Sequence, residues 1–252
     1  MLLGYAILFF SILQKENIAM EEKALKYLEQ NMIFHMGMIF PIKRGSAEIF
    51  YAGDDGVFMQ DKASEAFMLS FCDLDNGTEL LDYIGRVDLI CIYQQELAEY
   101  FQNKHNYDKY EENFQAVYMK DEPVKVSVEG LEIRTLGVDS LDLIYEHYNH
   151  HVSYDYIKRR IESGAIYGGF ADSEFCGFAG THEEGAVGIL KVLDGFRRRG
   201  FAEALEAHVI NAVLESGEVP FVQVNPNNEA SIGLQRKLGL EVSGERLYWL
   251  FD

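Results

Sequence analysis

Apolar residues recur along the chain at the spacings typical of strands and helices, and this pattern divides the sequence into elements. In the first half, it predicts a hairpin whose turn, Asp54-Asp55-Gly56, has a glycine to supply a positive φ. The elements expected there are a helix at 21–31, hairpin strands at 47–52 and 57–60, a strand at 66–71, a helix at 78–84, a strand at 87–92 and a helix at 94–104. Residues 105–118 are rich in tyrosine and charged residues, and no element is assigned to them.

The stretch 119–130 is polar, contains a proline and ends in glycine, which is typical of a domain boundary. The sequence therefore predicts an N-terminal α+β domain over 20–122 and a second domain over 126–252. The second domain is expected to begin with a strand at 131–136, a helix capped by Asp139 and a helix at 154–163, and to continue with strands at 165–171, 175–182 and 186–193, a helix at 199–216, a strand at 220–224, a helix at 229–238 and a strand at 241–251. Asp172-Ser173 is the expected turn between the strands at 165–171 and 175–182.

The first 13 residues are almost wholly apolar but are too few for a bilayer span, which needs about 20 residues. They also lack the basic start and the small-residue cleavage site of a secretory signal. Two interpretations stay open: an ordinary packed element, or an N-terminal extension over 1–19 ahead of a start at Met20. With no membrane span expected, we expect a cytoplasmic protein without a membrane partner.

The net charge of −19, from 22 basic and 41 acidic residues, is spread over both halves of the chain. Neither half has the basic excess that binding to a phosphate backbone requires, which argues against nucleic acid as a partner. An acidic surface would favour a cationic acceptor such as an amine, but many soluble proteins are acidic for solubility alone. The three cysteines form no CxxC pair and lie in apolar stretches, so buried, reduced thiols are expected at Cys72, Cys91 and Cys176.

The segment with the clearest chemistry runs from Leu190 to Ala202, where a strand ends, an arginine-rich turn follows and a helix begins. A helix start offers backbone N–H groups without partners and the positive end of the helix dipole, which together suit a diphosphate. Gly200 lets the backbone approach a ligand closely, and Ala202 keeps the next position small. Arg197, Arg198 and Arg199 add positive charge.

This segment resembles the GNAT superfamily of N-acetyltransferases, whose signature is Gln/Arg-x-x-Gly-x-Gly/Ala. Arg197, Gly200 and Ala202 match it, and Leu190-x-Val192 matches the strand that leads into the loop. A second match follows at the expected distance, since the superfamily's closing motif is close to Asn-x-x-Ala-x-x-Leu-Tyr-x-Lys-x-Gly-Phe. Its positions are occupied here by Asn228, Ser231, Leu234, Lys237 and Gly239. The resemblance covers about 125 residues, is closest to the glycine N-acyltransferase-like branch, and extends to bacterial two-domain GNAT proteins.

The resemblance implies an α/β (α+β) fold with a mixed, mostly antiparallel sheet flanked by helices. It also implies acetyl-CoA or another acyl-coenzyme A as co-substrate, with no metal. The strand at 187–193 should diverge from the strand at 220–225, and the pantetheine arm should lie in that gap. The implied cofactor-binding residues are Leu190, Lys191, Val192, Arg197, Arg198, Arg199, Gly200, Phe201, Ala202, Asn228 and Ser231.

Transfer to an amine requires a base, because a protonated alkylamine is not a nucleophile. Many relatives carry a glutamate at the position of Ala186, so we expect the base to be Glu184, which lies two residues earlier on the same strand face, with Glu183 and His182 as alternatives. The alternative interpretation is that 181–185 is only a polar turn.

A second departure from the family pattern is Gln235, since the superfamily often has a tyrosine there that protonates the thiolate. Glutamine has no proton to give in this way but does form hydrogen bonds. Tyr248 on the final strand is the candidate substitute, and core packing is the competing interpretation for it.

Two further clusters give weaker signals. The run from His147 to His151 lacks a supporting carboxylate or cysteine pattern, so it is interpreted as a helix end and loop rather than a metal site. The basic run 158–160 is expected to be a solvated helix face.

The expected function is transfer of an acetyl or small acyl group from acyl-CoA to a primary amine of a small molecule or peptide. The alternative is a non-catalytic module that binds acyl-CoA, which Ala186 and Gln235 favour. A transferase using charged tRNA is opposed by the net charge. For the N-terminal half, three roles stay open: a degenerate GNAT-like fold, a lid over the acceptor site, or the contact surface of a homodimer.

Overall fold

A computed structural model describes residues 17–148 and 152–252. The chain divides into two compact units: the first runs to Gln115 and also contains Ser243–Asp252, and the second is Ala116–Val242. Most of the expected extension, residues 1–16, lies outside the described residues. The domain ranges 20–122 and 126–252 stay a prediction.

Among the described residues, the first unit contains four helices and six strands. Two of these strands, β5 and β11, extend by two residues into the second unit. The helices are α1 (17–28), α2 (Met32–Arg44), α3 (Leu74–Ile84) and α4 (Gln95–His105). The strands are β1 (Ala47–Ala52), β2 (Gly56–Asp61), β3 (Phe67–Phe71), β4 (Leu89–Ile92), β5 (Lys109–Val117) and β11 (Glu241–Phe251). β5 occupies the tyrosine-rich stretch to which the sequence assigned no element.

The sequence did not predict helix α2, because apolar and polar residues do not alternate along it at a helical spacing. Every residue from Phe34 to Ile42 is buried, so the segment has no polar face to alternate with an apolar one. The helix starts at Asn31, whose side chain accepts a hydrogen bond from the Phe34 N–H at 3.4 Å. It ends at Gly45, which takes a left-handed φ of 78°.

The β1–β2 hairpin is confirmed, but the reason given for its glycine is wrong. Gly56 does not have a positive φ; it is the first residue of β2 and lies opposite Phe71 of β3. A Cβ at Gly56 would lie 2.4 Å from a ring atom of Phe71. The position therefore needs glycine because an aromatic ring packs on its backbone, not because of a turn conformation.

The strand order in the first unit is β1-β2-β3-β4-β11-β5. β1, β2 and β3 are successively antiparallel, β3 and β4 are parallel, and β11 is antiparallel to β4, with Tyr248 opposite Ile92. An apolar core lies between this sheet and helices α3 and α4, and it includes Phe58, Leu69, Phe71, Leu81, Ile92, Leu97, Phe101 and Leu250.

The second unit has the strand order β10-β9-β8-β7-β6, antiparallel except for the parallel pair β9 and β10. Its strands are β6 (Leu131–Thr135), β7 (Ile166–Ala171), β8 (Glu174–Thr181), β9 (Val187–Val192) and β10 (Phe221–Val224). Its helices are α5 (Leu141–His147), α6 (Tyr154–Glu162), α7 (Phe201–Glu215) and α8 (Glu229–Leu238). The predicted mixed, mostly antiparallel sheet flanked by helices is confirmed.

The β7–β8 turn is the predicted one. Asp172 and Ser173 have φ values of 50° and 70°, so both central residues of this tight hairpin are left-handed. Helices α7 and α8 pack with the strands through an apolar cluster that includes Val187, Leu205, Val209, Ile210, Val222 and Leu238.

Cys91 and Cys176 are buried thiols, as predicted, whereas the prediction for Cys72 is wrong, because its side chain is exposed. Cys72 follows the last residue of β3 and precedes Asp73, whose carboxylate accepts hydrogen bonds from the first turn of α3. At this point the chain leaves the sheet, so the apolar stretch no longer implies burial.

Candidate functional site

The backbone of β9 is irregular at the position where the sequence suggested ligand binding. Phe178 of β8 faces Lys191 and Gly180 faces Gly188, so one residue of β8 is opposite two residues of β9. This is a β-bulge, and Ile189 within it has a φ of 49°. A bulge takes backbone groups out of the regular ladder and bends the strand.

β9 and β10 pair at their starts, where Val222 lies opposite Val187. Since the strands are parallel and the bulge follows directly on β9, the pairing gives way toward their carboxyl ends. The backbone of Leu190, Lys191 and Val192 lies on the diverging part of β9, which ends in the arginine-rich loop.

Gly200 caps α7 in the left-handed conformation, with a φ of 84°. As a glycine, it has no side chain that could accept a hydrogen bond from the first turn of the helix. The first backbone hydrogen bond of the helix is donated by the Ala204 N–H to the Gly200 carbonyl oxygen at 3.1 Å. The N–H groups of Phe201 and Ala202 precede that bond, at the positive end of the helix dipole. A diphosphate or carboxylate is a suitable partner for such groups.

The three loop arginines differ in their surroundings. Arg197 forms an exposed ion pair with Asp194 at 2.8 Å. The Arg199 guanidinium lies 4.7 Å from the ring centroid of Phe201, whose side chain is buried in a cluster with Val192. Arg198 is exposed and has a φ of 64°. The loop is thus held to the end of β9 by apolar contacts while its cations remain at the surface.

Asn228 and Ser231 lie together at the start of α8. The Asn228 side chain accepts a hydrogen bond from the Ser231 N–H at 3.0 Å, which makes it the cap of this helix. Asn228 is exposed and Ser231 half-buried. A structural role therefore accounts for the asparagine, and the cofactor-binding role implied by the resemblance stays a prediction.

Glu183 and Glu184 lie in the turn between β8 and β9, so the expectation that Glu184 lies on a strand face is wrong and the polar-turn interpretation describes its position. This turn brings the candidate bases next to helix α6. Glu183 forms an ion pair with Arg159, with 2.9 Å between Oε1 and Nε. The hydroxyl group of Tyr156 lies 2.7 Å from Nδ1 of His182. The ring of His182 also lies on Gly188 of β9, where a Cβ would be 2.8 Å from Nε2.

Burial determines the protonation states in this cluster. It lowers the pKa of His182 to about 4, with a smaller contribution from the charge of Arg160, so the imidazole is neutral at pH 7. Burial, followed by the charge of Glu184, raises the pKa of Tyr156. Glu184 is therefore close enough to Tyr156 for its charge to act on the phenol.

The expectation that 158–160 is a solvated helix face is wrong for Arg160, which is half-buried, whereas Lys158 and Arg159 are exposed as predicted. Arg159 bonds to Glu183, and Arg160 donates to the Thr181 carbonyl oxygen at 2.8 Å and to its hydroxyl at 2.9 Å. Both contacts join α6 to the β8–β9 turn, which lies 21 to 24 residues further along the chain. Lys158 instead pairs with Glu162 on its own helix.

Tyr248 lies in the first unit, whereas Glu183 and Glu184 lie in the second. Its side chain is buried in the core of the first unit, packs against Tyr110 and has its hydroxyl 3.4 Å from the Gln95 amide oxygen. These contacts agree with the core-packing interpretation. A catalytic role for Tyr248 stays a prediction.

Gln235 forms a contact that the sequence did not suggest. Its amide Nε2 donates a 2.7 Å hydrogen bond to Oε1 of Glu206 on α7, and both side chains are buried. Burial raises the pKa of Glu206 to about 7, opposed by this hydrogen bond. The sequence did contain a signal for the burial of Glu206. This glutamate lies between Leu205 and Ala207 and three residues before Val209, and therefore on an apolar helix face.

Two surface depressions lie at the carboxyl end of α7, near Val213 and Leu214. In the loop before Gly200, residues 194, 195 and 197–199 are exposed. The described residues contain no group of three or more histidine, cysteine or acidic side chains that could hold a metal ion. In the histidine-rich run, Asn149, His150 and His151 lie outside the described residues.

No helix within 17–148 or 152–252 is long and apolar enough to cross a membrane.

Residues 165–250 match the family described as FR47-like protein. This segment contains the bulged strand, the arginine-rich loop and both helices α7 and α8. No curated protein matches the sequence significantly.

Solved structures match over nearly the whole chain at low identity. A Drosophila protein is 12% identical, covers 94% of this chain and 96% of its own, and has a TM-score of 0.69. A GNAT-family acetyltransferase from Colwellia psychrerythraea is 13% identical, with 96% of each chain covered and a TM-score of 0.54. A GCN5-related N-acetyltransferase-like protein from Streptococcus suis is 13% identical, with 91% and 100% covered and a TM-score of 0.55.

At these identities the solved structures establish the fold. The bacterial two-domain type and the glycine N-acyltransferase-like branch stay predictions. Through its fold and its FR47-like segment, the chain is similar to the GNAT superfamily of acetyltransferases.

Proposed function

We propose that the protein is an acyl-CoA-dependent N-acyltransferase that transfers an acetyl or small acyl group to a primary amine of a small molecule or peptide. The proposal depends most on one observation: β9 is bulged at Ile189, past its pairing with β10, and the loop that follows it ends at the start of α7, where Gly200 provides no side-chain cap. This arrangement offers an extended backbone edge followed by unpartnered amides.

The residues fit coenzyme A in two ways. The N–H groups from Arg198 to Ala202 suit the diphosphate, and the exposed arginines supply opposite charge. The backbone of Leu190 to Val192, where β9 diverges, suits the amides of the pantetheine arm, because it presents peptide groups of the same kind. Bound there, acyl-CoA supplies an activated thioester.

The amine would be deprotonated at the β8–β9 turn. Glu184 is the proposed base, because Glu183 forms an ion pair with Arg159 and burial lowers the pKa of His182 to about 4, which makes its ring a weak base. A backbone N–H in the bulge would donate to the thioester oxygen as it gains negative charge. The net charge of −19 would favour a cationic acceptor through long-range attraction.

A second candidate is a module that binds acyl-CoA without turnover. Two observations favour it: Ala186 is buried where relatives carry a glutamate, and the Gln235 amide is occupied by Glu206. The loop around Gly200 is compatible with both candidates.

The experiment that separates them measures binding and turnover on the same sample. Calorimetry with acetyl-CoA tests binding, and release of free thiol with a panel of primary amines tests turnover. Binding with amine-dependent thiol release supports the enzyme. Binding without thiol release on any amine supports the second candidate, and absence of binding contradicts both.

A further inference from the structure

The contact between α7 and α8 contains two polar side chains that are almost completely buried. Glu206 is 2% exposed and Gln235 is 1% exposed, and they share the 2.7 Å hydrogen bond from Gln235 Nε2 to Glu206 Oε1. Among the described residues, neither the second oxygen of Glu206 nor the amide oxygen of Gln235 has a hydrogen-bond partner. Buried oxygens without partners are rare, because they have given up water without a replacement.

The packing of α7 against α8 does not require the buried Glu206–Gln235 pair. One turn earlier on α7, Glu203 pairs with Lys237 of α8 across the same two helices, so an ion pair already joins them. The neighbouring residues Leu205, Ile210, Leu234 and Leu238 fill the same contact with apolar side chains. A leucine at either polar position would be the simpler choice for packing.

The helices that carry the pair also pack on the diverging strands. Apolar residues of α7 and α8 belong to one cluster with Leu190 and Val192 of β9 and with Val222 of β10. These β9 residues are those proposed to bind the pantetheine arm. The two helices therefore belong to the layer that packs on the strands proposed to bind this arm.

We propose that Glu206, held in orientation by Gln235, is the acid that protonates the departing thiolate of acyl-CoA. This inference rests on the proposed acyltransferase function. Gln235 acts as a positioning residue, since it holds one oxygen of Glu206 and leaves Oε2 available.

The proton and electron balance of the step is complete. The amine nitrogen, deprotonated by the base, forms a bond to the thioester carbon and then loses its second proton to water, and the carbon–sulfur bond breaks with its electron pair on sulfur. Glu206 Oε2 gives its proton to that sulfur, which leaves as a thiol. The resulting Glu206 carboxylate then takes a proton from water, and the base returns its proton to water.

The environment keeps the required proton on Glu206. Burial is the main cause of its raised pKa, and no ion pair is involved. Glu203 and Lys237 form an ion pair across the two helices, and the other charged groups on these helices are Glu215, Glu229 and Arg236. A carboxylic acid with a pKa near 7 is well matched to proton transfer at neutral pH.

The test compares Glu206→Gln with the matched control Glu203→Gln, an acidic side chain on the same helix and at the same helix contact. Glutamine keeps the shape and hydrogen bonds of Glu206 but has no proton to give. We expect Glu206→Gln to lower kcat about 10- to 100-fold, with the Kd for acetyl-CoA within about twofold of wild type. Glu203→Gln should keep kcat.

The pH profile provides a second readout. In wild type, kcat should fall as pH rises through the pKa of Glu206, and this alkaline limb should be absent in Glu206→Gln. Gln235→Leu should shift the limb, because it removes the hydrogen bond that stabilises the carboxylate, whereas a purely structural role would leave the limb in place. An unchanged kcat and pH profile in Glu206→Gln would overturn the proposal.

Infrared difference spectroscopy on wild type tests the same point without a variant. Adding coenzyme A at pH 6 should perturb a protonated carboxyl band, and an unperturbed spectrum in a sample that binds coenzyme A overturns the proposal even if Glu206→Gln does not fold. If wild type neither binds acetyl-CoA nor releases thiol, the proposed acyltransferase function is wrong, and this inference with it. If wild type turns over and Glu206→Gln equals it, only this inference fails.

Discussion

The hydroxyl group of Tyr156 lies 2.7 Å from Nδ1 of His182, joining helix α6 to the turn between β8 and β9. Because the pKa of His182 is lowered to about 4 and that of Tyr156 is raised, both groups are neutral at pH 7. A single hydrogen atom lies between the two groups, and neither ring carries a charge. The charged groups there are Glu183, Glu184, Arg159 and Arg160.

This arrangement predicts different effects for the two neighbouring glutamates. Glu184→Gln should lower kcat/KM about 100-fold or more, because the amine would lose its base. Glu183→Gln should have a smaller effect, since its carboxylate is already paired with Arg159. Steady-state kinetics with a fixed amine provide the measurement. Equal losses in both variants, or a larger loss in Glu183→Gln, would contradict the assignment of Glu184 as the base.

The start of α7 predicts a strong dependence of coenzyme A binding on Gly200. A β-branched residue is strained at a φ of 84° and would place side-chain atoms beside the amides, so Gly200→Val should weaken binding at least about tenfold. Gly195 is the control, because it lies in the same loop without a positive φ and its Cβ would meet nothing within 4 Å. Calorimetry should find Gly195→Val close to wild type. Equal affinities in wild type and Gly200→Val would show that the diphosphate is bound elsewhere.

The buried carboxyl of Glu206 predicts a pH-dependent stability. Its pKa is about 7 in the folded protein and about 4.3 when unfolded, so between these values the folded state binds the extra proton. Its contribution to stability is fully present below about pH 4 and is lost as pH rises through about 7, a change of about 3 kcal/mol.

His35 and His182 contribute with the opposite sign, because burial lowers both pKa values to about 4 and stability is lost as pH falls toward that value. The measurement is therefore the difference in free energy of unfolding between wild type and Glu206→Gln, from denaturant titrations between pH 4 and pH 8. The histidine contributions cancel in this difference. A flat difference would mean that folding does not raise the pKa of Glu206.

Tyr248 provides a direct comparison with Glu206 as the acid. Because its ring is packed in the first unit and its hydroxyl makes a long 3.4 Å contact with Gln95, Tyr248→Phe should change kcat by less than about twofold. Its cost in stability should stay below about 1 kcal/mol. A large fall in kcat in a stably folded Tyr248→Phe variant would instead support the sequence-based role of this tyrosine and weaken that of Glu206.

The sequence by itself determined the local elements of the second unit and its candidate binding loop. Strands and helices there have clear apolar periods, and the turn at Asp172 and the helix stop at Gly239 use residues suited to left-handed backbone. The motif around Gly200 is also local, since its ligand-binding groups are consecutive backbone amides. Helix α2 was missed for the converse reason, because a segment buried on all sides has no period to detect.

Only the tertiary structure decided which distant side chains meet. Glu206 and Gln235 are 29 residues apart, and Arg159 and Glu183 are 24 apart. The same holds for the final strand, most of which belongs to the first unit although it follows the second in sequence. Spacing along the chain specifies the face of an element on which a side chain lies, but not which other element packs against that face. That choice depends on the burial of apolar surface across the whole fold.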